Sequence, residues 1–307
     1  MLDIIDKVLL KAVANLDDIP KLGAYNIRRN GKGISRQSTK NIQIVPKTDQ
    51  PGIDINVAPG TKGEQVHIPV ILSAEGMTDI VYNTFNIGDN ADVVIVAGCG
   101  IHNACDADAG HNGIHEFFIG KNARVKYVEK HFGEGSGRGK RILNPTTKVH
   151  MEENSQVEME MVQIAGVDDT IRDTDVDLAD GARLIVTERL MTEGVQSAES
   201  IIKVNLNGKD SSARIMSRSV AKNNSKQHFH MNLIGKNECR GHIQCDSIIM
   251  DQAQVSSAPM VTAEHSDAQL IHEAAIGKIA GDQLLKLMSL GLSEEAAEDT
   301  ILKGFLK

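Results

Sequence analysis

Large aromatic side chains are nearly missing from this sequence. It has no tryptophan, three tyrosines and six phenylalanines, so aromatic residues make up 3% of its 307 positions. A core without large rings has to be filled by Ile, Val, Leu, Met and Ala, which suit a narrow and regular interior.

An excess of basic residues is missing as well. Lys and Arg number 33 against 41 Asp and Glu, and the net charge of −8 argues against nucleic acid as a partner. No apolar run reaches transmembrane length, and the first residues, Met1 to Asp6, lack the basic region of a signal peptide. We therefore expect a cytoplasmic protein that binds neither nucleic acid nor membrane.

Cysteine is scarce, with four residues in the whole chain. This is too few for a disulfide framework, and their grouping in two places suits reduced thiols that bind metal or react. Common catalytic motifs are also absent, including the Walker A loop, the nucleophile elbow, the His-Glu-x-x-His motif and the dinucleotide-binding fingerprint. The sequence therefore predicts that the chain is not an enzyme.

A short pattern that recurs along the chain predicts the architecture. Residues 87–93, Ile-Gly-Asp-Asn-Ala-Asp-Val, are echoed by residues 119–125, Ile-Gly-Lys-Asn-Ala-Arg-Val, and looser copies continue to residues 265–270. The interval of roughly 27 to 32 residues is typical of repeat architectures. Each unit has a tight turn of Asn, Asp or Gly followed by alternating apolar positions, with no room for a helix. The pattern predicts a mainly β protein, a β-helix or β-solenoid of stacked coils.

Helical patterns flank the repeats. Residues 2–16 have the apolar spacing of an amphipathic helix, and residues 23–33 look like a polar connector. In the tail, Gly291 is expected to end one helix and Ser293 to begin another. We expect these segments to cap the ends of the stack. The predicted division is 1–37 for the N-terminal helix and connector, 38–279 for the β-helix and 280–307 for the C-terminal helices.

A first group of ligand-type residues lies in the early repeats. Thiols and imidazoles favour zinc, iron or iron–sulfur species over magnesium or calcium, but the spacing matches no zinc-finger pattern. Alternatively, the cysteines are small buried apolar residues and the histidines lie on solvated turns. The candidate residues of this second metal site are Cys99, His102, Cys105, His111 and His115.

A second group lies near the end of the repeats. Cys245 is followed by Asp246 and Ser247, and His272 and Glu273 come about one repeat later. Because successive coils of a solenoid stack, residues one repeat apart can be close in space. The combination of sulfur, nitrogen and oxygen donors predicts a metal or sulfur site.

These residues also carry a family resemblance. Cys245-Asp246-Ser247, Ala258-Pro259, His272-Glu273-Ala274 and residues 291–296, Gly-Leu-Ser-Glu-Glu-Ala, resemble the C-terminal core of the SufB/SufD iron–sulfur cluster assembly scaffolds. The upstream residues 66–70 and 99–103 resemble the short archaeal and bacterial members sometimes called SmsB. Leu270 stands where SufD often has a cysteine, and the cysteine-rich N-terminal region of long SufB proteins is missing.

The resemblance implies a right-handed parallel β-helix, pairing of two scaffold chains through their β-helices, and docking of the C-terminal helices onto an ABC-type ATPase subunit, SufC. It also implies ligand roles for Cys245 and Glu273, as in SufB, and for His272, as in SufD, so that a homodimer could bring Cys245 of one copy to His272 of the other. The residues expected to bind the ATPase are Leu284, Leu287, Met288, Ile301 and Phe305.

The resulting hypothesis is a scaffold for iron–sulfur cluster assembly. It would hold iron in a transient two-iron or four-iron cluster, act in a complex of two scaffold chains and two ATPase chains, take sulfur from a donor protein and pass the cluster to apo-proteins. The first alternative is a β-helix polysaccharide lyase or hydrolase, although such folds expose aromatic sugar platforms that this sequence lacks. The second is an inert structural adaptor for the ATPase, with buried cysteines.

Overall fold

Short strands make up most of the chain in the computed structural model, which describes residues 2–307. Helix α1 spans Ile4–Ala14, and helices α2 and α3 span Gly281–Ser289 and Glu294–Phe305. The strands between them are β1 Ala24–Arg29, β2 Lys32–Gln37, β3 Ile42–Pro46, β4 Gly52–Val57, β5 Lys62–Leu72, β6 Thr78–Ile87, β7 Asp92–His102, β8 Ala109–Ile119, β9 Arg124–Glu134, β10 Arg141–Leu143, β11 Thr146–Met151, β12 Gln156–Gln163, β13 Asp169–Leu178, β14 Arg183–Thr192, β15 Ser197–Leu206, β16 Ser211–Ala221, β17 Lys226–Gly235, β18 Cys239–Ile249, β19 Gln254–Ala263 and β20 Gln269–Gly277.

The strands form two sheets that together make a solenoid. Sheet A has the order β2, β1, β5, β7, β9, β12, β14, β16, β18, β20. Sheet B has the order β3, β4, β6, β8, β10, β13, β15, β17, β19, with β11 beside β8 and β13. The first pairs, β1 with β2 and β3 with β4, are antiparallel, and the later coils pair in parallel. The predicted parallel β-solenoid is thus confirmed.

The predicted tight turns are present between the strands. Asn90, Asn122, Asn154, Asn223 and Asp251 all have φ between 56° and 59°. Asn and Asp tolerate this left-handed conformation better than other residues with side chains, because their short polar groups bond locally. The recurring Asn and Asp residues therefore mark the corners of successive coils.

Stacking brings residues about one repeat apart into contact. His131 contacts Gln163, which lies 32 residues later, and Ser219 contacts Ser247, 28 residues later. Along each strand the side chains alternate between the interior and the outer face. Ile, Val, Leu and Met fill most of the interior, as expected from the shortage of aromatic residues.

Helix α1 lies on the outer face of sheet A, against β5, β7 and β9. Gly98 and Gly100 on β7 permit this close approach, since a Cβ on either residue would lie 3.0 Å from an atom of Val13 or Leu9. The predicted helix is confirmed. Its expected role as a cap is not, because α1 covers the side of the stack.

The C-terminal helices also lie beside the stack. Gly291, with φ 97°, follows α2, and the Ser293 side chain accepts a hydrogen bond from the Ala296 amide at the start of α3, as predicted. Arg189 and Arg218, on the outer face of sheet A, donate to the carbonyl groups of Lys307 and Phe305. The prediction of a C-terminal cap is therefore wrong, and the edges of β19 and β20 end the two sheets.

The predicted polar connector is also corrected. Residues 24–37 form β1 and β2, and β1 buries its first four residues. The alternating pattern is too short there to stand out between Gly23 and Gly33, but pairing with β5 extends sheet A to this segment. No helix within residues 2–307 is long and apolar enough to cross a membrane.

Candidate functional site

Cys245 lies inside the solenoid, on the inner face of β18. Its side chain is 2% exposed, and its Sγ is 3.3 Å from the Sδ of Met231. Its neighbours across sheet A are Ser217 on β16 and Ala274 on β20. Burial raises the pKa of the Cys245 thiol to about 11, with the Ser257 hydroxyl acting against the rise and Glu188 adding to it. The thiol is therefore neutral at ordinary pH.

His272 and Glu273 both lie on β20 but face opposite ways. His272 is in register with the buried Ile243, whereas Glu273 is in register with Gln244. Residues in register on parallel strands point to the same face, so His272 points inward and Glu273 points outward. Glu273 Oε1 is 3.5 Å from His242 Nε2 on the outer face. Within one chain, Cys245 and His272 share the inner wall, and Glu273 does not.

The coil that carries His272 is the last one, and it is open. β19 and β20 each lie at the edge of their sheet, and most of their side chains are exposed or half-buried. Val255, Val261 and Leu270 pack only partly against the core. Cys245 therefore lies one coil inside an uncovered end.

The other predicted group divides between the interior and the surface. Cys99, His111 and His115 are buried and line one interior cavity of about 20 Å³. His102 lies on the outer face of β7, with its Nδ1 3.2 Å from Glu134 Oε1. Cys105 follows the end of β7, where its thiol contacts Asn103.

The five predicted ligands therefore do not form one site. The physical reason is strand alternation, which sends His102 to the opposite face from Cys99. Within residues 2–307, no three side chains of His, Cys, Asp or Glu stand ready to hold a metal ion.

Two further residues line the same cavity, His131 and Glu129, of which the sequence analysis missed Glu129. Glu129 and His131 on β9 are both buried and line it, and the Glu129 Oε1 to His131 Nε2 distance is 3.6 Å. His131 is in register with Cys99, so the two side chains share one wall. The sequence carries a signal for both residues. Alternate positions of β9 share one face, and this face holds Val125, Tyr127, Glu129 and His131. Because the first two are apolar, the pattern points Glu129 and His131 inward as well.

A chain of buried charged groups extends from this cavity toward Cys245. Arg172 Nη2 is 3.4 Å from His131 Nδ1 and 3.9 Å from Glu129 Oε2, and Arg172 Nη1 is 3.3 Å from Glu188 Oε1. Glu188 also accepts hydrogen bonds from Ser200 at 2.7 Å and Ser217 at 2.8 Å. Because Ser217 is beside Cys245, the two predicted sites are the two ends of one polar seam, which runs through Glu129, His131, Arg172, Glu188 and Ser217.

The ionisation of these groups follows from burial and from their neighbours. Burial alone would raise the pKa of Glu129, but His131 and Arg172 hold it well below its usual range. Burial lowers the pKa of His115 to about 4, so this imidazole is neutral. Burial raises the pKa of Cys99 well above its usual range, with Asp79 and Glu129 adding to the effect.

Three of the five residues predicted to bind a partner lie at a groove between the C-terminal helices and sheet A. Leu287, Ile301 and Phe305 line a groove of about 600 Å³ against Arg218 and Ile248 of sheet A. Leu284 and Met288 are half-buried on the same helix as Leu287. The exposed apolar residues of this segment are Leu285, Leu290 and Leu292.

Comparison with known proteins gives a consistent match. Residues 70–305 match the family model described as SUF system FeS cluster assembly, SufBD core domain. An iron–sulfur cluster assembly SufBD family protein of Methanocaldococcus jannaschii is 28% identical over 246 residues, which cover 78% of this chain and 76% of that protein. A protein of the same description from Archaeoglobus fulgidus is 28% identical over 282 residues, 90% of this chain and 73% of the relative. The match to the Methanothermobacter thermautotrophicus relative, 25% identical, covers 77% of this chain and 57% of that protein.

Proposed function

We propose that this chain, which belongs to the SufBD family of iron–sulfur cluster assembly proteins, is a scaffold subunit on which a cluster is built before transfer to apo-proteins. The observation that carries the proposal is the placement of Cys245 and His272 on one inner wall, beside the open end of the solenoid. The chain itself does not hydrolyse ATP in this proposal. Anaerobic reconstitution with iron and sulfide, followed through the visible absorbance of the cluster, tests it.

Cys245 is proposed to be the sulfur ligand or the acceptor of sulfur from a donor protein. Thiolate and imidazole are suitable ligands for iron, so His272 is the natural second donor. Binding of iron has to displace the proton of the buried Cys245 thiol, since only the thiolate ligates. Glu273 faces outward, so it reaches a cluster only where a second copy of the chain brings the two faces together. All four cysteines are free thiols.

A second copy is proposed to pair with the open end. The edge strand β19 has no charged residue, and β20 has only Glu273. Edge strands without charges are templates for pairing with another chain, and soluble oligomers are most often twofold homodimers. Pairing there would cover both edges and place the Cys245 and His272 side chains of the two copies near the shared interface.

We expect Ile276→Lys to prevent this pairing. Ile276 is in register with Ser247 on the inner wall at the open end and is 44% exposed, so a lysine there puts an unpaired charge into the interface. Ile185→Lys is the matched control, because Ile185 is 45% exposed on the outer face of β14. Light scattering should give a dimer for the control and a monomer for Ile276→Lys. A dimer in both variants would show that the chains pair through another surface.

The helical segment α2–α3 is proposed to dock an ABC-type ATPase of the SufC kind. The predicted residues Leu284, Leu287, Met288, Ile301 and Phe305 are half-buried, and three of them line the groove beside sheet A. The exposed Leu285, Leu290 and Leu292 offer the partner further apolar surface. With two scaffold chains and two ATPase chains, the complex would couple ATP hydrolysis to movement at the open end.

The variant Leu285→Asp/Leu290→Asp should weaken binding of the ATPase at least tenfold, or about 1.4 kcal/mol, because two apolar contacts become charged. Calorimetric titration with purified SufC-type ATPase measures the change. Leu22→Asp, at a still more exposed leucine before β1, is the control and should bind normally. Equal affinity of all three proteins would show that the ATPase uses another surface.

One observation favours a second candidate, an inert adaptor for the ATPase. Cys99, Cys239 and Cys245 are all buried, and each of the three thiols has a raised pKa. An adaptor would bind the ATPase and form no cluster under reconstitution. The scaffold forms one that depends on Cys245.

A further inference from the structure

The interior cavity near the first coils has the features of a binding site for one small ion. Cys99, Glu129 and His131 reach it from sheet A, and His111 and His115 reach it from sheet B. Its volume of about 20 Å³ is that of a single water-sized species, for which about 10–15 Å³ is the minimum. Donors on both walls therefore surround a space for one ion.

A glycine creates the space between the two imidazoles. His111, Gly113 and His115 alternate along the inner face of β8. A Cβ on Gly113 would lie 2.8 Å from His115 Nε2 and 3.4 Å from His111 Nε2. The Nε2 atoms of both rings thus lie next to an inner-face position of the strand that has no side chain.

Polar atoms at this cavity lack partners. Nδ1 of His115 is buried and has no hydrogen-bond partner. Nδ1 of His111 and Oε2 of Glu129 have only long contacts, at 3.4 Å to Asp79 Oδ2 and at 3.9 Å to Arg172 Nη2. A buried polar atom without a partner costs about 1–3 kcal/mol, so such groups usually serve a purpose beyond packing. An ion in the cavity would bind one nitrogen of each imidazole and give Glu129 Oε2 a cationic neighbour.

The charge of the seam also favours a cation. Arg28 Nη2 is 2.7 Å from Asp79 Oδ1, and Asp79 Oδ2 is 3.4 Å from His111 Nδ1. Glu129 and Glu188 share the single guanidinium of Arg172. Carboxylates therefore stand beside the donors on both walls, Asp79 next to His111 and Glu129 next to His131, and both attract a cation.

We propose that this cavity binds one divalent transition-metal ion through His111, His115 and Cys99, with Glu129 balancing its charge. Imidazole and thiolate donors select ions such as Fe²⁺, Co²⁺ or Zn²⁺ over Mg²⁺ and Ca²⁺. Since no three donors stand ready within residues 2–307, the imidazoles turn toward the centre of the cavity when the ion enters. The site is separate from Cys245, because Arg172, Glu188 and Ser217 lie between them.

Anaerobic titration of the purified full chain with Co²⁺ tests the proposal. We expect one ion per chain with thiolate-to-cobalt charge-transfer absorption. Cys99→Ser should remove that absorption, and His111→Ala and His115→Ala should each weaken binding at least tenfold. Cys245→Ser should keep both the absorption and the affinity, which separates this site from the proposed scaffold function.

Gly113→Ala provides a variant that removes no donor. Its Cβ fills the space between the imidazoles, so binding of Co²⁺ should fall at least tenfold. Gly110→Ala, on the same strand, is the matched control, because its Cβ would make only ordinary contacts at 3.5 Å. Circular dichroism of each variant verifies the fold. Unchanged Co²⁺ binding in both Gly113→Ala and Cys99→Ser, or absorption that disappears only in Cys245→Ser, would overturn the proposal.

Discussion

Cys245→Ser should abolish the cluster that the wild-type chain forms with iron and sulfide under anaerobic conditions. A serine hydroxyl keeps the size of the side chain but is a hard and weakly acidic donor, so it does not replace a thiolate on iron. Cluster content is measured by visible absorbance and by iron and sulfide analysis. We expect the variant to retain less than about a tenth of the wild-type cluster, corresponding to at least 1.4 kcal/mol of lost ligand binding.

Cys239→Ser is the matched control for this experiment. Cys239 lies on the same strand and the same inner face as Cys245, and the two side chains are 3% and 2% exposed. Burial raises the pKa of both thiols. The control should form the same amount of cluster as the wild type. Equal cluster content in Cys245→Ser and Cys239→Ser would remove Cys245 from the proposed role and favour the adaptor.

The outline of the fold could be predicted because every repeat carries the same local sequence pattern at its turn. The Asn and Asp residues at the corners and the alternating apolar positions follow from local backbone preferences, which do not depend on the rest of the chain. The caps could not be predicted in the same way. Whether α1 packs on the side of the stack depends on Gly98 and Gly100, which are 84 or more residues away and carry no helical signal.

The site was predicted less completely, for a different physical reason. Repeat spacing places Cys245, His272 and Glu273 in neighbouring coils, but it does not decide which face a side chain takes. A single step along β20 separates the inward His272 from the outward Glu273, as it separates His102 from Ile101 on β7. Strand alternation could have corrected both cases once the strand ends were known.

The missed residues show a further limit. Glu129, Arg172 and Glu188 are charged, and charged residues are almost never fully buried unless they are paired. Each lies on a different strand, and the contact between Arg172 on sheet B and the two carboxylates on sheet A depends on how the two sheets face each other. Pairing across the interior is a property of the folded solenoid and not of any local pattern.

Arg172→Met should destabilise the protein by about 3–5 kcal/mol, because it leaves Glu129 and Glu188 as buried carboxylates without their shared cation. Urea unfolding followed by circular dichroism measures this as a lower midpoint. Arg183→Met, at an exposed position of β14, is the control and should change stability by less than about 0.5 kcal/mol.

A triple variant distinguishes lost compensation from lost packing. Adding Glu129→Gln and Glu188→Gln to Arg172→Met removes the charges of all three residues while keeping side chains of similar size. Because replacing a whole buried ion network is often neutral, whereas removing one member is costly, the triple variant should regain most of the stability. A triple variant as unstable as Arg172→Met would mean that the guanidinium stabilises the solenoid through its packing and its hydrogen bonds to uncharged neighbours.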